Sequence, residues 1–389
     1  MSGAANSVYL DHAASTPMRP EAVEAMQPFL ADSYGNPSGG HRAAMATKHA
    51  VEAARERIAA RLGVRPDEIV FTGGGSEADN LAVKGAGWAG RDRGLDGVVV
   101  SGIEHKAVLG AAARLQREGS RLIEVGADAR GVVDLDALGE HLDERTAVVS
   151  VMTVNNETGI VQPIDALVEL VRKRAPQSAI HTDAVQAPQW VDLRAIARAV
   201  DLLAISGHKF GGPKGVGVLV VRKGVDLVPL IEGGGHEWSI RAGTQNVAGI
   251  VALAAAFDVT DERRAEERGR IAALRDHLEA ELRSSIEGLQ INGDPTFRVA
   301  GLLHVAVAGV EAELLLTALD QAGVCAASGS SCSSGAIDPS HVLVAMGMSR
   351  AQALSSVRFS LGWASTASDV DAALPVIRHC IAQLREASV

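Results

Sequence analysis

Two segments near the middle of the chain carry the residue types of covalent chemistry. His181-Thr182-Asp183-Ala184-Val185-Gln186 closes one apolar, β-branched run, and Ser206-Gly207-His208-Lys209-Phe210-Gly211-Gly212 closes the next. A carboxylate and a primary amine at neighbouring strand ends could hold an aldehyde-bearing heteroaromatic group. The amine would form a Schiff base, and the carboxylate would keep a ring nitrogen protonated so that the ring accepts electrons. Taken singly, an Asp after a strand is usually a cap and a Lys before glycines is usually solvated. Lys214, in the turn Gly212-Pro213-Lys214-Gly215, competes for the amine role but points less obviously back to the strand ends.

Gly73-Gly74-Gly75-Ser76-Glu77-Ala78-Asp79-Asn80 follows another predicted strand and opens a predicted helix. Glycines let a ligand approach the backbone, Ser76 is placed to cap the helix with Asp79 in the reciprocal position, and free amides suit a phosphate. The same pattern also describes a plain tight turn before a capped helix. It is neither a dinucleotide fingerprint nor a Walker loop, since no Gly-Lys-Ser/Thr follows. His105, in Ile103-Glu104-His105-Lys106, follows a further strand and could stack on a ring or move protons, although alone it reads as a surface histidine. Together, amine, carboxylate and phosphate cradle on one rim suit pyridoxal phosphate.

The elements that must position these residues are legible in the hydrophobic pattern. Strands are expected at Ile69 to Thr72, Val98 to Ser101, Ala147 to Val151, Ala179 to Thr182, Leu202 to Ser206 and Gly217 to Val221. Helical stretches such as Asn80 to Gly90 and Pro163 to Arg174 interleave with them, which predicts βαβ units and a largely parallel sheet covered on both faces. Val247 to Phe257 reads as a buried helix and Asp261 to Ile286 as a long surface helix with one apolar stripe. A smaller α+β region follows, with strands at Leu302 to Val307 and Val357 to Leu361, a helix at Glu311 to Ala322 and a last helix from Ser368. The Gly/Ser-rich run Ala327 to Gly335 reads as a loop.

Composition bounds the function. The chain has 389 residues, 47% hydrophobic and 22% charged, which fits a soluble globular protein of two domains rather than a disordered one. A formal charge of -10 disfavours a dedicated nucleic-acid binder. The N-terminus has no export pattern and no apolar run reaches bilayer length, so a cytoplasmic location without membrane attachment is expected. Three cysteines, Cys325, Cys332 and Cys380, without a Cys-x-x-Cys pair, argue for reduced thiols and against a zinc site. Cys325 and Cys380 read as buried, whereas Cys332 sits among small polar residues where a nucleophile could be exposed.

These motifs, with Tyr9-Leu10-Asp11-His12-Ala13-Ala14-Ser15-Thr16-Pro17, Gly35-Asn36-Pro37-Ser38, Glu104-His105-Lys106-Ala107-Val108-Leu109, Val154-Asn155-Asn156-Glu157, Gly233-Gly234-Gly235-His236-Glu237, Arg241-Ala242-Gly243-Thr244 and Arg358-Phe359-Ser360-Leu361-Gly362, resemble class I cysteine desulfurases of the NifS/IscS type. The resemblance runs in order from about residue 8 to 385. It implies a fold-type I pyridoxal-phosphate enzyme: a large domain, 15–257, with a mostly parallel seven-stranded sheet flanked by helices, and a smaller α+β domain, 1–14 and 258–389. The small domain would carry the catalytic loop, about 327–337.

Residue by residue, the resemblance implies that Lys209 carries the cofactor, Asp183 pairs with the ring nitrogen and His105 stacks on the ring. Gln186 would touch the ring hydroxyl with Asn156 alongside, and Gly75, Ser76, Ser206 and His208 would hold the phosphate. Thr244 would reach the phosphate of the other subunit of a homodimer, while Asn36 and Arg358 would bind the substrate carboxylate. Cys332 would take sulfur from L-cysteine, leaving L-alanine, and pass it to an acceptor such as an iron-sulfur scaffold or a tRNA-thiolation enzyme. Neighbouring readings are a selenocysteine lyase, another pyridoxal-phosphate β-lyase, or an accessory protein without turnover. The retention of Lys209, Asp183, Arg358 and Cys332 together argues against the last. Gly75 and Ser76 stand where Ala and Thr are usual, Ala327 and Ser331 where Ser and Ala are frequent, and Ala242 where Ser is usual. These departures touch fine positioning rather than the reaction.

Overall fold

The computed structural model describes residues 7–329 and 338–387. The first half comprises β1 (Val8–Tyr9), α1 (Pro20–Met26), α2 (Arg42–Leu62), β2 (Ile69–Thr72), α3 (Gly75–Asp92), β3 (Gly97–Ser101), α4 (Lys106–Arg117), β4 (Arg121–Val125), α5 (Leu135–His141) and β5 (Thr146–Ser150). Next come α6 (Ile164–Arg174), β6 (Ala179–Asp183), α7 (Arg194–Ala199), β7 (Leu202–Ser206), β8 (Gly217–Val221), α8 (Val247–Ser285) and β9 (Leu289–Ile291). The chain finishes with β10 (Leu302–Val307), α9 (Ala312–Gln321), β11 (Val324–Cys325), α10 (His341–Ala345), α11 (Arg350–Leu354), β12 (Ser356–Ser360) and α12 (Ala367–Ala387).

The larger sheet has seven strands in the order β2-β8-β7-β6-β5-β3-β4. β8 runs antiparallel to both neighbours, and the rest of the sheet is parallel. Strands such as Val98-Val99-Val100 are buried on both faces, as a sheet sandwiched between helices requires. Their period of two sorts the side chains: Val98 and Val100 pack with Leu81 of α3 and Leu115 of α4, while Val99 faces the core that includes Ile58 of α2 and Leu167 of α6. A smaller antiparallel sheet, β12-β10-β9, lies downstream, and β1 pairs in parallel with β11.

Three local expectations are corrected. The two helices read at Val247 to Phe257 and Asp261 to Ile286 are one helix of 39 residues, because no Gly or Pro separates them and Asn246 caps the start by accepting from the Gly249 amide at 3.0 Å. Ser76 does not cap α3: the helix begins at Gly75 with Gly74 as N-cap and no side-chain cap, which places Ser76 in the first turn and Asp79 in the interior. β4 and β9 escaped the pattern search. β4 exposes Arg121 and Glu124 at the sheet edge, and β9 is only three residues long.

The turn that carries Lys209 is clamped from outside the sheet. Arg19, 1% exposed at the start of α1, makes a two-pronged pair with Glu267 of α8 at 2.8 and 2.7 Å. Its Nε–H donates to the Phe210 carbonyl at 3.3 Å, which also accepts from Thr260 Oγ1 at 3.0 Å, and Gln189 Nε2 donates to the Lys209 carbonyl at 2.6 Å. Glu267→Ala leaves the Arg19 charge buried without its partner. It is expected to lower the unfolding free energy by about 3 kcal/mol in a denaturant titration.

Candidate active site

A cavity of about 700 Å³ opens where the parallel strands end, the position at which sheets of this type bind ligands. Gly73 to Glu77 enter it after β2, His105 after β3 and Asn156 after β5. Asp183 and Gln186 enter it at the end of β6, and Ser206, His208 and Lys209 at the end of β7. Arg358 of β12 and the Ala13 to Ser15 segment complete the wall. The structure therefore brings together Gly75, Ser76, His105, Asn156, Asp183, Gln186, Ser206, His208, Lys209 and Arg358 from the sequence reading. Asn36 and Thr244 are not among them. They line a second depression of about 400 Å³ near the exposed side chains of Leu30 and Tyr34. Cys332 lies outside the described residues.

The floor of the cavity is acidic. One side-chain atom each of Asp79, His105 and Asp183 lie within 4.8 Å of one another. Asp183 is 4% exposed and accepts from the Val185 amide at 2.8 Å; burial raises its pKa, while His105, that amide and Lys209 pull it back. Asp79 is pushed well above the usual carboxyl range by burial, then by Asp183 and Glu104, and its Oδ1 has no hydrogen-bond partner among the described residues. Glu104, pushed up to about 8 by burial, accepts from Ser101 Oγ at 2.5 Å and from the Met152 amide at 2.7 Å. His181, held neutral by burial with a pKa of about 3, donates or accepts at Ser150 Oγ and turns Nε2 toward Asp79 Oδ1 at 3.6 Å. Sequence reasoning misses Asp79 as a floor residue and Glu104 as a buried carboxyl behind it. Glu104 adjoins His105, and Asp79 was absorbed into the capping pattern.

Basic residues line the same cavity. Lys209 donates from Nζ to the carbonyls of Ala13 at 2.7 Å and Ala14 at 2.9 Å. Burial, with Arg358 next, lowers its pKa to about 8, against the opposing pull of Asp183 and Asp11. Lys214 lines the same cavity, so the Gly-Pro-Lys-Gly turn faces it rather than away from it. His105 caps α4, its Nδ1 accepting from the Ala107 amide at 3.1 Å, and burial lowers its pKa. Burial, Lys209 and Lys214 bring His208 down to about 4. Gln186 turns Nε2 to the Ala13 carbonyl at 2.8 Å.

Pyridoxal phosphate fits this donor set. Asp183 beside the unpartnered Asp79 oxygen is short of a cation, which a protonated ring nitrogen supplies. The first turn of α3 has no side-chain cap, and its amides face the cavity with Ser76, Ser206 and His208, as an anion site requires. Gly75 is packed for glycine in this chain: a Cβ there would lie 2.7 Å from Val185 Cγ2.

Comparison with known proteins places the chain. A model of the class-V aminotransferases matches residues 8–373. The chain belongs to that family. Among full-length relatives, it is 40% identical over 388 residues to the cysteine desulfurase IscS of Methanosarcina thermophila, covering 98% of this chain and 94% of that protein. It is 41% identical over 387 residues to the IscS-like cysteine desulfurase of Mycobacterium tuberculosis, covering 98% of each. Among solved structures, a NifS-like protein superposes with a TM-score of 0.91 at 34% identity, covering 97% of this chain and 100% of the other. SspA in complex with cysteine superposes at 0.81 and 32% identity, covering 92% of this chain and 100% of that one. The fold-type I architecture expected from the sequence is thus borne out, and so is the pyridoxal-phosphate family. Among the described residues no helix is long and apolar enough to cross a membrane.

The lowered pKa of Lys209 has a kinetic signature. An uncharged amine attacks an aldehyde, and in this fold the uncharged fraction grows as pH rises through about 8 rather than 10.5. When apoprotein is mixed with pyridoxal phosphate at constant ionic strength, the rate of growth of the visible band is expected to rise with a midpoint near 8.

Proposed function

We propose that the chain is a cysteine desulfurase that moves sulfur from L-cysteine to Cys332, releasing L-alanine. The observation that carries the reading is the convergence of the desolvated Lys209 amine, the buried Asp183 carboxylate and the Arg358 guanidinium on one cavity. Bound there, pyridoxal phosphate supplies an aldehyde for the amine of the substrate and a ring that takes up electron density. Asp183 would hold the proton on the ring nitrogen, His105 would lie against the ring, and Gln186 and Asn156 would serve the ring hydroxyl. Gly75, Ser76, Ser206 and His208 fix the phosphate.

The remaining steps belong to side chains. Arg358 would bind the substrate carboxylate, and the Lys209 amine would remove the Cα proton. The Cys332 thiolate attacks the substrate sulfur, the Cβ–S bond breaks, and its electron pair stays with the carbon skeleton. Protons then return to that skeleton, which departs as L-alanine and leaves a persulfide on Cys332. The persulfide sulfur passes to an acceptor protein, an iron-sulfur scaffold or a tRNA-thiolation enzyme. Asn36 and Thr244, together at the second depression, complete the site when a second copy of the chain docks. Thr244 then reaches the phosphate in its partner.

The test is to incubate the protein with L-cysteine and pyridoxal phosphate, quantify L-alanine, and map the modified thiol by mass spectrometry. Alanine without sulfur on Cys332 defeats the nucleophile assignment. Lys209→Ala is expected to lose the visible band of the lysine-bound cofactor and turnover with it. Cys332→Ser is expected to keep that band while losing persulfide formation, read by absorbance and by mass. Arg358→Lys, which cannot grip a carboxylate with two prongs, is expected to raise KM for L-cysteine by about tenfold or more.

A further inference from the structure

Arg358 reaches the cavity already held on two sides. It is 4% exposed, its Nη1 donates to the Asn156 carbonyl at 2.7 Å, and its Nη2 donates to Asp11 Oδ1 at 2.7 Å. Its Nε–H is buried with no acceptor among the described residues. Arg358 lines the ligand cavity, and a buried guanidinium with an unmade hydrogen bond has unspent binding capacity for a carboxylate.

The Asp11 side chain has no evident structural task. Its backbone carbonyl forms the turn that follows β1, accepting from the Ala14 amide at 3.1 Å and the Ser15 amide at 3.4 Å, and its backbone bridges to Ser360. Among the described residues, Arg358 is the hydrogen-bond partner of its carboxylate. The turn it begins is also the one whose carbonyls at Ala13 and Ala14 receive the Lys209 amine. One short segment therefore holds both the amine and the guanidinium.

We propose that Asp11 is a positioning residue for substrate recognition: by fixing Nη2 of Arg358, with the Asn156 carbonyl fixing Nη1, it holds the guanidinium in one orientation at the cavity wall for the incoming carboxylate. The proposal rests on the reading that Arg358 binds that carboxylate. A free guanidinium on a long side chain samples several rotamers, and ordering it on binding costs affinity. Anchoring it beforehand removes that cost for ligands that carry a carboxylate and changes nothing for amines that lack one.

The experiment titrates the cofactor-loaded protein with L-alanine and, separately, with ethylamine, which is alanine without its carboxylate, following the visible absorbance. Asp11→Asn is expected to weaken L-alanine by about tenfold or more, the scale of a hydrogen bond to a charged group, and to leave ethylamine unchanged. Equal weakening of both ligands overturns the proposal, because it places the effect on Lys209 or on the fold. So does an unchanged L-alanine affinity in Asp11→Asn while Arg358→Gln loses it. Retention of L-alanine affinity in Arg358→Gln would instead overturn the carboxylate reading of Arg358 itself. Thermal unfolding of each variant is measured alongside, and Asp11→Ser replaces the Asn variant if that one does not fold.

Discussion

Asp183 and its acidic neighbours impose the constraint on which the rest of the site depends. Three carboxyl groups, Asp79, Glu104 and Asp183, are buried under one cavity, and burying like charges together is tolerated only if protons or a cation neutralise them. Glu104 and Asp79 keep protons because they are desolvated beside Asp183. Burial raises Asp183 as well, but of the three it alone is pulled back by His105 and Lys209. Three chemically similar groups are thus distinguished by their neighbours, and Asp183 is the one set against basic groups that line the cavity.

The scaffold serves this sorting by geometry. A parallel sheet gathers its strand ends on one rim, so residues distant in sequence, from Gly75 to Lys209, reach one cavity without long side chains. The reversed strand β8 brings Gly217 beneath the glycine turn that precedes α3, where a Cβ would lie 2.8 Å from the Gly74 carbonyl carbon. The second sheet contributes Arg358, and the N-terminal segment that pairs with β11 lays its carbonyls across the Lys209 amine. The cavity is therefore closed by the first residues of the chain as much as by the last.

Much of this was legible in the sequence because buried parallel strands write continuous apolar runs and their ends write the chemistry. Ile69 to Thr72, Leu202 to Ser206, Gly217 to Val221 and Leu302 to Val307 were read to the residue. Edge strands such as β4 were not, since exposed Arg121 and Glu124 break the run that the pattern needs. Asp79 misleads because the spacing from Ser76 suits a cap, whereas the helix starts at Gly75 after Gly74 at φ 145°, a backbone shape that glycine tolerates. Lys214 was set aside because nothing local in a Gly-Pro-Lys-Gly turn tells which way its side chain leaves. Asn36 and Thr244 carry a different limit, because one chain alone does not bring them to the Lys209 cavity.

At 1.5 Å per residue, the 39 residues of α8 make a rod of roughly 58 Å. It packs on α1 and α2 near one end and on β9, β10 and α12 near the other. One rod thus touches both the Gly207 to Lys209 turn and β10, the strand paired with the one that bears Arg358, so the amine and the guanidinium share a single helical backing.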